Sequence, residues 1–404
     1  MTVKKLIVCK ILTDIEMKDM EGTWIDESHM KHPVLNENTD VYYLDDDGIE
    51  KLLLKFRKGV ITDNELRLGW QSYKDLAKPS RGRGASAGPI DLSGQYWSKR
   101  TIVNNKKWMT NYLTSLGKEL KETYDTFSIE ELKEKCLELE INDKDFLIKD
   151  KGLTINDLTK DDLLLIVIKK LGGVSTMKVN NQVASMPIGF FDADNKMCKL
   201  PCRLTHFTRT NFEKFNSGFP FLQKIDKLYS ELTPEAHKRQ LDRSNMKPHL
   251  KIPDTSFSTV TINRNFRTAL HRDGGDFKEG FGNLTVIERG KYQGGYTVFP
   301  QFGVGINLRN NDFVAMDVHQ WHSNTPMYET EEDKLYNESI PKVYKDNPNI
   351  GTAGLYELYT RISFVCYLRE KLIQCPNDID PRFLTKSGHS KIKDEIETKI
   401  EIEI

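Results

Sequence analysis

The chain has 404 residues, 38% hydrophobic and 29% charged, a balance that fits a folded soluble protein and excludes a disordered one. Lys plus Arg and Asp plus Glu number 59 each, so the net charge is zero; a generic polycation is excluded, and any nucleic-acid partner must be met by local positive charge. Six scattered cysteines, with only Cys198 and Cys202 close together, argue against structural zinc and suit an intracellular compartment, while no apolar run approaches the ~20 residues of a membrane span.

The N-terminal run LIVCKIL is too short and too interrupted for a signal peptide and reads as a first strand. The spacing of Ile49, Leu52, Leu53 and Phe56 predicts a helix over about 47–58. The stretch from Lys78 to Gly94, rich in Gly, Ser and Pro, predicts an irregular loop; Arg81 and Arg83 make it a candidate for gripping a phosphate backbone. Over 126–173 a small helical insertion is expected. Ser128 with Glu131 and Thr159 with Asp162 form capping-box pairs that open two helices, the second stopping at Gly172-Gly173. Two helices and an extended linker are weakly similar to a SAP-type DNA-binding unit. The 11 acidic against 8 basic residues of that segment favour simple packing over phosphate contact. Residues 174–256 predict a strand in KMCKLPCRLTHF and a helix near 219–232. A second helix restarts at Thr233-Pro234, with Thr as N-cap and Pro in the first position. From Phe257 the runs FSTVTI, LTVIE, YTVFP, GVGINL, FVAMDV and RISFVCYL predict closely spaced strands, hence a sandwich or barrel. The charged tail, 373–404, ends in ETKIEIEI, a late edge strand or a frayed end.

The chemistry concentrates around His271-Arg272-Asp273-Gly274-Gly275. In extended chain, positions i and i+2 face one side, so His271 and Asp273 can present an imidazole and a carboxylate to a common point. A third ligand is available at the end of FVAMDV, where either His319 or His322 follows. Two imidazoles and one carboxylate on one face, with open positions, form the facial triad of non-heme Fe(II) oxygenases. Arg361, at the start of the last apolar strand, can hold a carboxylate through two parallel hydrogen bonds, with Ser363 adding a third. The ligand implied is 2-oxoglutarate.

The words LHRDGGDFKEGFGNLTVIERG, GGYTVFP and VGINLRNNDFVAMDVHQWHSNTP resemble the 2-oxoglutarate/Fe(II) dioxygenases, closest to the TET/J-binding-protein type of nucleobase oxygenase. The resemblance covers about His271 to Arg369. It implies an α+β chain with a double-stranded β-helix (jelly-roll, cupin-like) core, flanking helices and the helical insertion. The division becomes 1–125 for the N-terminal part of the oxygenase domain, 126–173 for the insertion, 174–256 for supporting elements, 257–372 for the catalytic core, and the tail. It assigns His271, Asp273 and His322 to iron and Arg361 to 2-oxoglutarate, with O2 as co-reactant. The substrate it implies is the methyl group of thymine or 5-methylcytosine in nucleic acid, DNA ahead of RNA. The 38 residues between His322 and Arg361 exceed the expected interval, marking YETEEDKLYNESIPKVYKDNPNIG as an insertion. Two alternatives stand beside this reading: a prolyl-type protein hydroxylase on the same fold, and a non-catalytic binding module. Asn324 is expected either to turn its loop or to hold His322, and Trp321 to sit in the core.

Overall fold

The computed structural model describes residues 2–77, 83–88, 115–141, 154–173, 183–191, 202–344, 349–350 and 356–375. Arg81, Cys198 and the ETKIEIEI tail lie outside them. The chain divides into two compact units, one of residues 1–86, 182–352 and 356–404, the other of 87–181 with 353–355.

The first unit is α+β. Its main sheet has nine strands: β1 (Lys4–Val8), β2 (Thr39–Leu44), β3 (Glu50–Arg57), β4 (Ala184–Phe191), β5 (Arg203–Leu204), β6 (Thr259–Arg264), β7 (Gly282–Arg289), β11 (Phe313–Met316) and β16 (Thr360–Tyr367). They lie in the order β1-β2-β3-β11-β7-β16-β6-β4-β5, with β1 and β2 parallel and every other pair antiparallel. A smaller sheet of β9 (Thr297–Phe299), β10 (Val304–Ile306) and β12 (Ser323–Asn324) runs β10-β9-β12. Short pairs complete the set, β8 (Gln293–Gly294) with β13 (Met327–Tyr328) and β14 (Asn349–Ile350) with β15 (Tyr356–Glu357).

Side-chain alternation decides which face each residue serves. Ile362, Phe364 and Cys366 of β16 join Ile262, Ile287 and Phe313 in a core against the helices Asp63–Tyr73 and Phe219–Leu232. On the opposite face Leu284, Val286, Val314 and Met316 pack against Phe299, Val304 and Ile306 of the small sheet. The helix Phe219–Leu232 buries Phe221, Leu222, Ile225, Leu228 and Tyr229, the apolar set that its 3.6-residue period predicts. Thr233 does precede the next helix, Pro234–Asn245, but its hydroxyl donates backwards to the Tyr229 carbonyl and makes no N-cap bond.

One predicted element is corrected. Residues 47–58 are not helical; β3 fills most of that range, paired with β2 on one side and β11 on the other. The cause is the turn Asp45–Ile49. Gly48 takes φ +75°, and the Asp45 carboxylate accepts from the backbone N–H of Asp47 and Ile49 at 3.1 and 2.8 Å, closing a hairpin. Of the strand expected in KMCKLPCRLTHF, residues 196–201 lie outside the described residues; in the described part Arg203–Leu204 is a strand, and Thr205 then starts the short helix His206–Thr210. Among the described residues of this region the longer strand is β4, which lies earlier. Cys202 and Cys375, 173 residues apart, are joined by a disulfide with Cα atoms 6.0 Å apart, a pairing that the cysteine spacing did not reveal.

In the second unit, the helices Ser115–Tyr124, Ile129–Glu138 and Lys160–Lys170 pack around Leu132, Cys136 and the run Leu163–Ile168. Ser128 and Thr159 cap the second and third through capping boxes with Glu131 and Asp162. Among the described residues no helix is long and apolar enough to cross a membrane.

Candidate metal centre

His271 and His322 face each other across an antiparallel backbone pair. Each donates its N–H to the other's carbonyl, both at 3.0 Å, so the register that builds the small sheet also sets the two imidazoles side by side, ring centroids 4.3 Å apart. The Nδ1 of His271 lies 2.8 Å from the Ala269 carbonyl, and the Nδ1 of His322 lies 2.9 Å from that of Gln320. A carbonyl only accepts, so each Nδ1 carries the proton and each Nε2 is left with a lone pair. Both Nε2 atoms point at Asp273, at 3.7 Å for His271 and 3.9 Å for His322. One ligand atom from each of the three residues lies within 4.8 Å of the others. Burial, reinforced by His271, pushes the His322 imidazole down to about 4, so it is neutral near neutral pH, as a metal ligand must be.

His319, the rival third ligand, turns away. Its Nδ1 is 3.0 Å from the Asp273 carbonyl and its Nε2 is 3.4 Å from that of Phe277. Asn324 does not hold His322; its side chain accepts from the Thr268 hydroxyl at 2.7 Å and donates to Thr297 at 3.3 Å, fixing the strand after the histidine. Trp321 is buried beside Met17, Ile25, Leu270 and Val298.

Arg361, Ser363, Val365 and Tyr367 occupy the face of β16 opposite its core residues and line the same cavity, of about 190 Å³, as the three clustered residues. Arg361 is 3% exposed, and among the described residues its Nε and Nη2 are buried without a hydrogen-bond partner. A buried guanidinium is stable only with an acceptor, so this orphaned fork fits a carboxylate ligand. Ser363 accepts from the Asn263 amide at 3.2 Å, which in turn accepts from Ser185 at 2.5 Å. Tyr367 stands at the far end of the strand, roughly 20 Å from Arg361 at six residues' spacing.

At the Tyr367 end, Arg83 lines the cavity; the backbone beside it is tied in by the bond from Ala269 N–H to the Ser86 carbonyl at 2.9 Å. Burial lowers the Arg83 pKa, while Tyr367 and Asp273 oppose that shift. Sequence reasoning missed Asp276, which also lines the cavity. Burial first, then the Asp273 carboxylate, push its carboxyl well above the usual range, and among the described residues one of its oxygens has no partner. The available signal was a second carboxylate directly after the Gly274-Gly275 pair.

Residues 186–370 match the family model described as the oxygenase domain of the 2OGFeDO superfamily, Tet_JBP. The match bears out the TET/JBP resemblance and extends it upstream to β4. "Bifunctional helicase and thymine dioxygenase JBP2" of Trypanosoma cruzi is 33% identical over 187 residues, 46% of this chain and 15% of that protein. "Thymine dioxygenase JBP1" of Trypanosoma brucei brucei is 34% identical over 190 residues, 47% of this chain and 21% of that protein. The chain thus spans about a fifth or less of these relatives. Among solved structures, "NgTET1 in complex with 5mC DNA" is similar at 9% identity and TM-score 0.42, over 91% of this chain and 89% of that one.

Proposed function

We propose that the chain is an Fe(II)- and 2-oxoglutarate-dependent dioxygenase that hydroxylates the methyl group of thymine or 5-methylcytosine in nucleic acid, DNA ahead of RNA. The observation that carries this is one cavity holding the His271–Asp273–His322 cluster together with the unpartnered Arg361 guanidinium. In this reading the nine-stranded sheet and the β10-β9-β12 sheet are the two faces of a double-stranded β-helix.

Iron would be held by the Nε2 atoms of His271 and His322 and a carboxylate oxygen of Asp273, an oxygen-and-imidazole donor set suited to Fe(II). When bound, the iron with 2-oxoglutarate and O2 supplies the oxidising power for a C–H bond. The chain supplies the rest. Carbonyls of Ala269 and Gln320 fix the tautomers, and Arg361 with Ser363 orients the distal carboxylate of 2-oxoglutarate. Burial around His322 and Arg361 excludes water. Arg83 faces the cavity from the side of Asp273, at the other end of β16 from Arg361, and serves the substrate. A base in a duplex reaches so enclosed a cluster only after rotation out of the stack. The names of the JBP relatives, which specify thymine, support the base as substrate.

The test is incubation of the full chain with DNA, Fe(II) and 2-oxoglutarate, followed by mass spectrometry of the released nucleosides. The expected result is a hydroxymethylated pyrimidine, absent with Asp273→Ala. Turnover of 2-oxoglutarate with added protein substrates, leaving every nucleoside unchanged, moves the reading to a protein hydroxylase.

A further inference from the structure

Asp273 is the least protected member of the cluster. Its side chain is 34% exposed, and among the described residues nothing packs beside Gly274, the next residue. The chain is anchored further on, where the Glu370 N–H donates to the Gly275 carbonyl at 3.0 Å, but at Asp273 itself the contacts are hydrogen bonds from one turn. The Asp273 N–H donates to the Val318 carbonyl at 3.0 Å, and His319 Nδ1 donates to the Asp273 carbonyl at 3.0 Å. That turn is itself closed by Asp317, which accepts from the N–H of His319 at 3.0 Å and from the Gln320 amide at 3.0 Å. Its next carbonyl, that of Gln320, is the one that receives the Nδ1 proton of His322. Asp317–Gln320 is therefore a single bracket gripping two of the three clustered residues, one through its backbone and one through its ring.

We propose that His319 is a positioning residue of the metal centre: its Nδ1–H sets the backbone of Asp273 so that the carboxylate meets the two Nε2 atoms. The inference rests on the cluster being a metal site. A neutral imidazole carries one N–H, and the shorter contact, to Asp273, claims it over the 3.4 Å contact to Phe277. Asn places an amide nitrogen where Nδ1 stands; Gln places one nearer Nε2. The role therefore requires rescue by Asn and not by Gln.

The experiment is Co(II) titration of the metal-free full chain, followed by visible absorption, with thermal midpoints of the metal-free proteins alongside. Groups that orient metal ligands typically contribute about 10–100-fold in affinity, and His319→Leu should weaken Co(II) binding by that order. His319→Asn should bind within about threefold of wild type, with His319→Gln clearly weaker, at similar thermal midpoints. If His319→Leu does not fold, the order of Asn over Gln decides alone. Equal affinities for Leu and wild type, or rescue by Gln as good as by Asn, overturn the role. Wild type binding no better than Asp273→Ala removes the metal centre itself, and the inference with it.

Discussion

Arg361 keeps two guanidinium nitrogens inside the protein with no acceptor for either among the described residues. Leaving a buried charge unpaired typically costs several kcal/mol, and replacing it by an apolar side chain of similar volume is often stabilising. Arg361→Met should therefore raise the thermal midpoint of the ligand-free protein while raising the half-saturating 2-oxoglutarate concentration at least about tenfold. Co(II) affinity should be unchanged. Calorimetric titration with 2-oxoglutarate and a melting curve check both arms; a variant less stable than wild type shows that the guanidinium is a structural pair, not a waiting ligand. His322 gives the pH dependence. Its pKa falls from 6.5 to about 4 on folding, so below about 6.5 the unfolded chain binds the proton more readily than the folded one. This contribution to metal-free stability is complete above about 6.5 and is lost as pH falls towards about 4. Urea midpoints measured at several pH values across that window should decline more shallowly in His322→Asn than in wild type.

Among the elements, the helix Phe219–Leu232 holds the back of the sheet that presents Arg361. Phe221 is fully buried against Phe364, ring centroids 5.0 Å apart, and a Cβ built on Gly69 of the helix Asp63–Tyr73 would lie 2.8 Å from the Phe221 ring. That ring cannot swing aside, so Gly69→Ala should destabilise by about 1–3 kcal/mol, the usual cost of overpacking. Urea unfolding reads it directly; an unchanged midpoint means that the helices separate freely. The sequence showed this helix because its period is 3.6 and its apolar set is long. It showed β16 because Arg361 and Ser363 alternate with Ile362 and Phe364. It hid β3, because Ile49, Leu52, Leu53 and Phe56 also satisfy helical spacing, and the Asp45–Ile49 turn with pairing to β2 and β11 decides otherwise. The clustered residues were legible from the pattern of a histidine and a carboxylate two residues apart with a second histidine after a strand-like run, although His271 pairs with His322 as an isolated bridge, seven residues past β6, and not at a strand end. The bracket around them was not, since it depends on which carbonyl each ring nitrogen meets.

For the whole molecule, 59 basic and 59 acidic residues leave no net charge to draw in a polyanion. The described cavity concentrates positive charge at two places, Arg361 and the Arg83 end, and the first is committed to 2-oxoglutarate in the proposed reading. The segment 126–172, with 11 acidic and 8 basic residues, adds no net attraction. Binding to DNA should then release few counterions. With only two or three phosphates neutralised, the slope of log K against log salt should be near −2 to −3 in rough terms, not the −6 or steeper of proteins that grip a long backbone track. Fluorescence anisotropy of one labelled duplex and one single strand, titrated at three salt concentrations, measures it. In the proposed reading Arg83 contacts the base rather than the phosphate track, so Arg83→Ala should lower base oxidation far more than it changes the slope. A steep slope that collapses on replacing Arg81 and Arg83 together would return that loop to the backbone-gripping role expected of its sequence, and the cavity would then have to read the base through Asp276 and its neighbours alone.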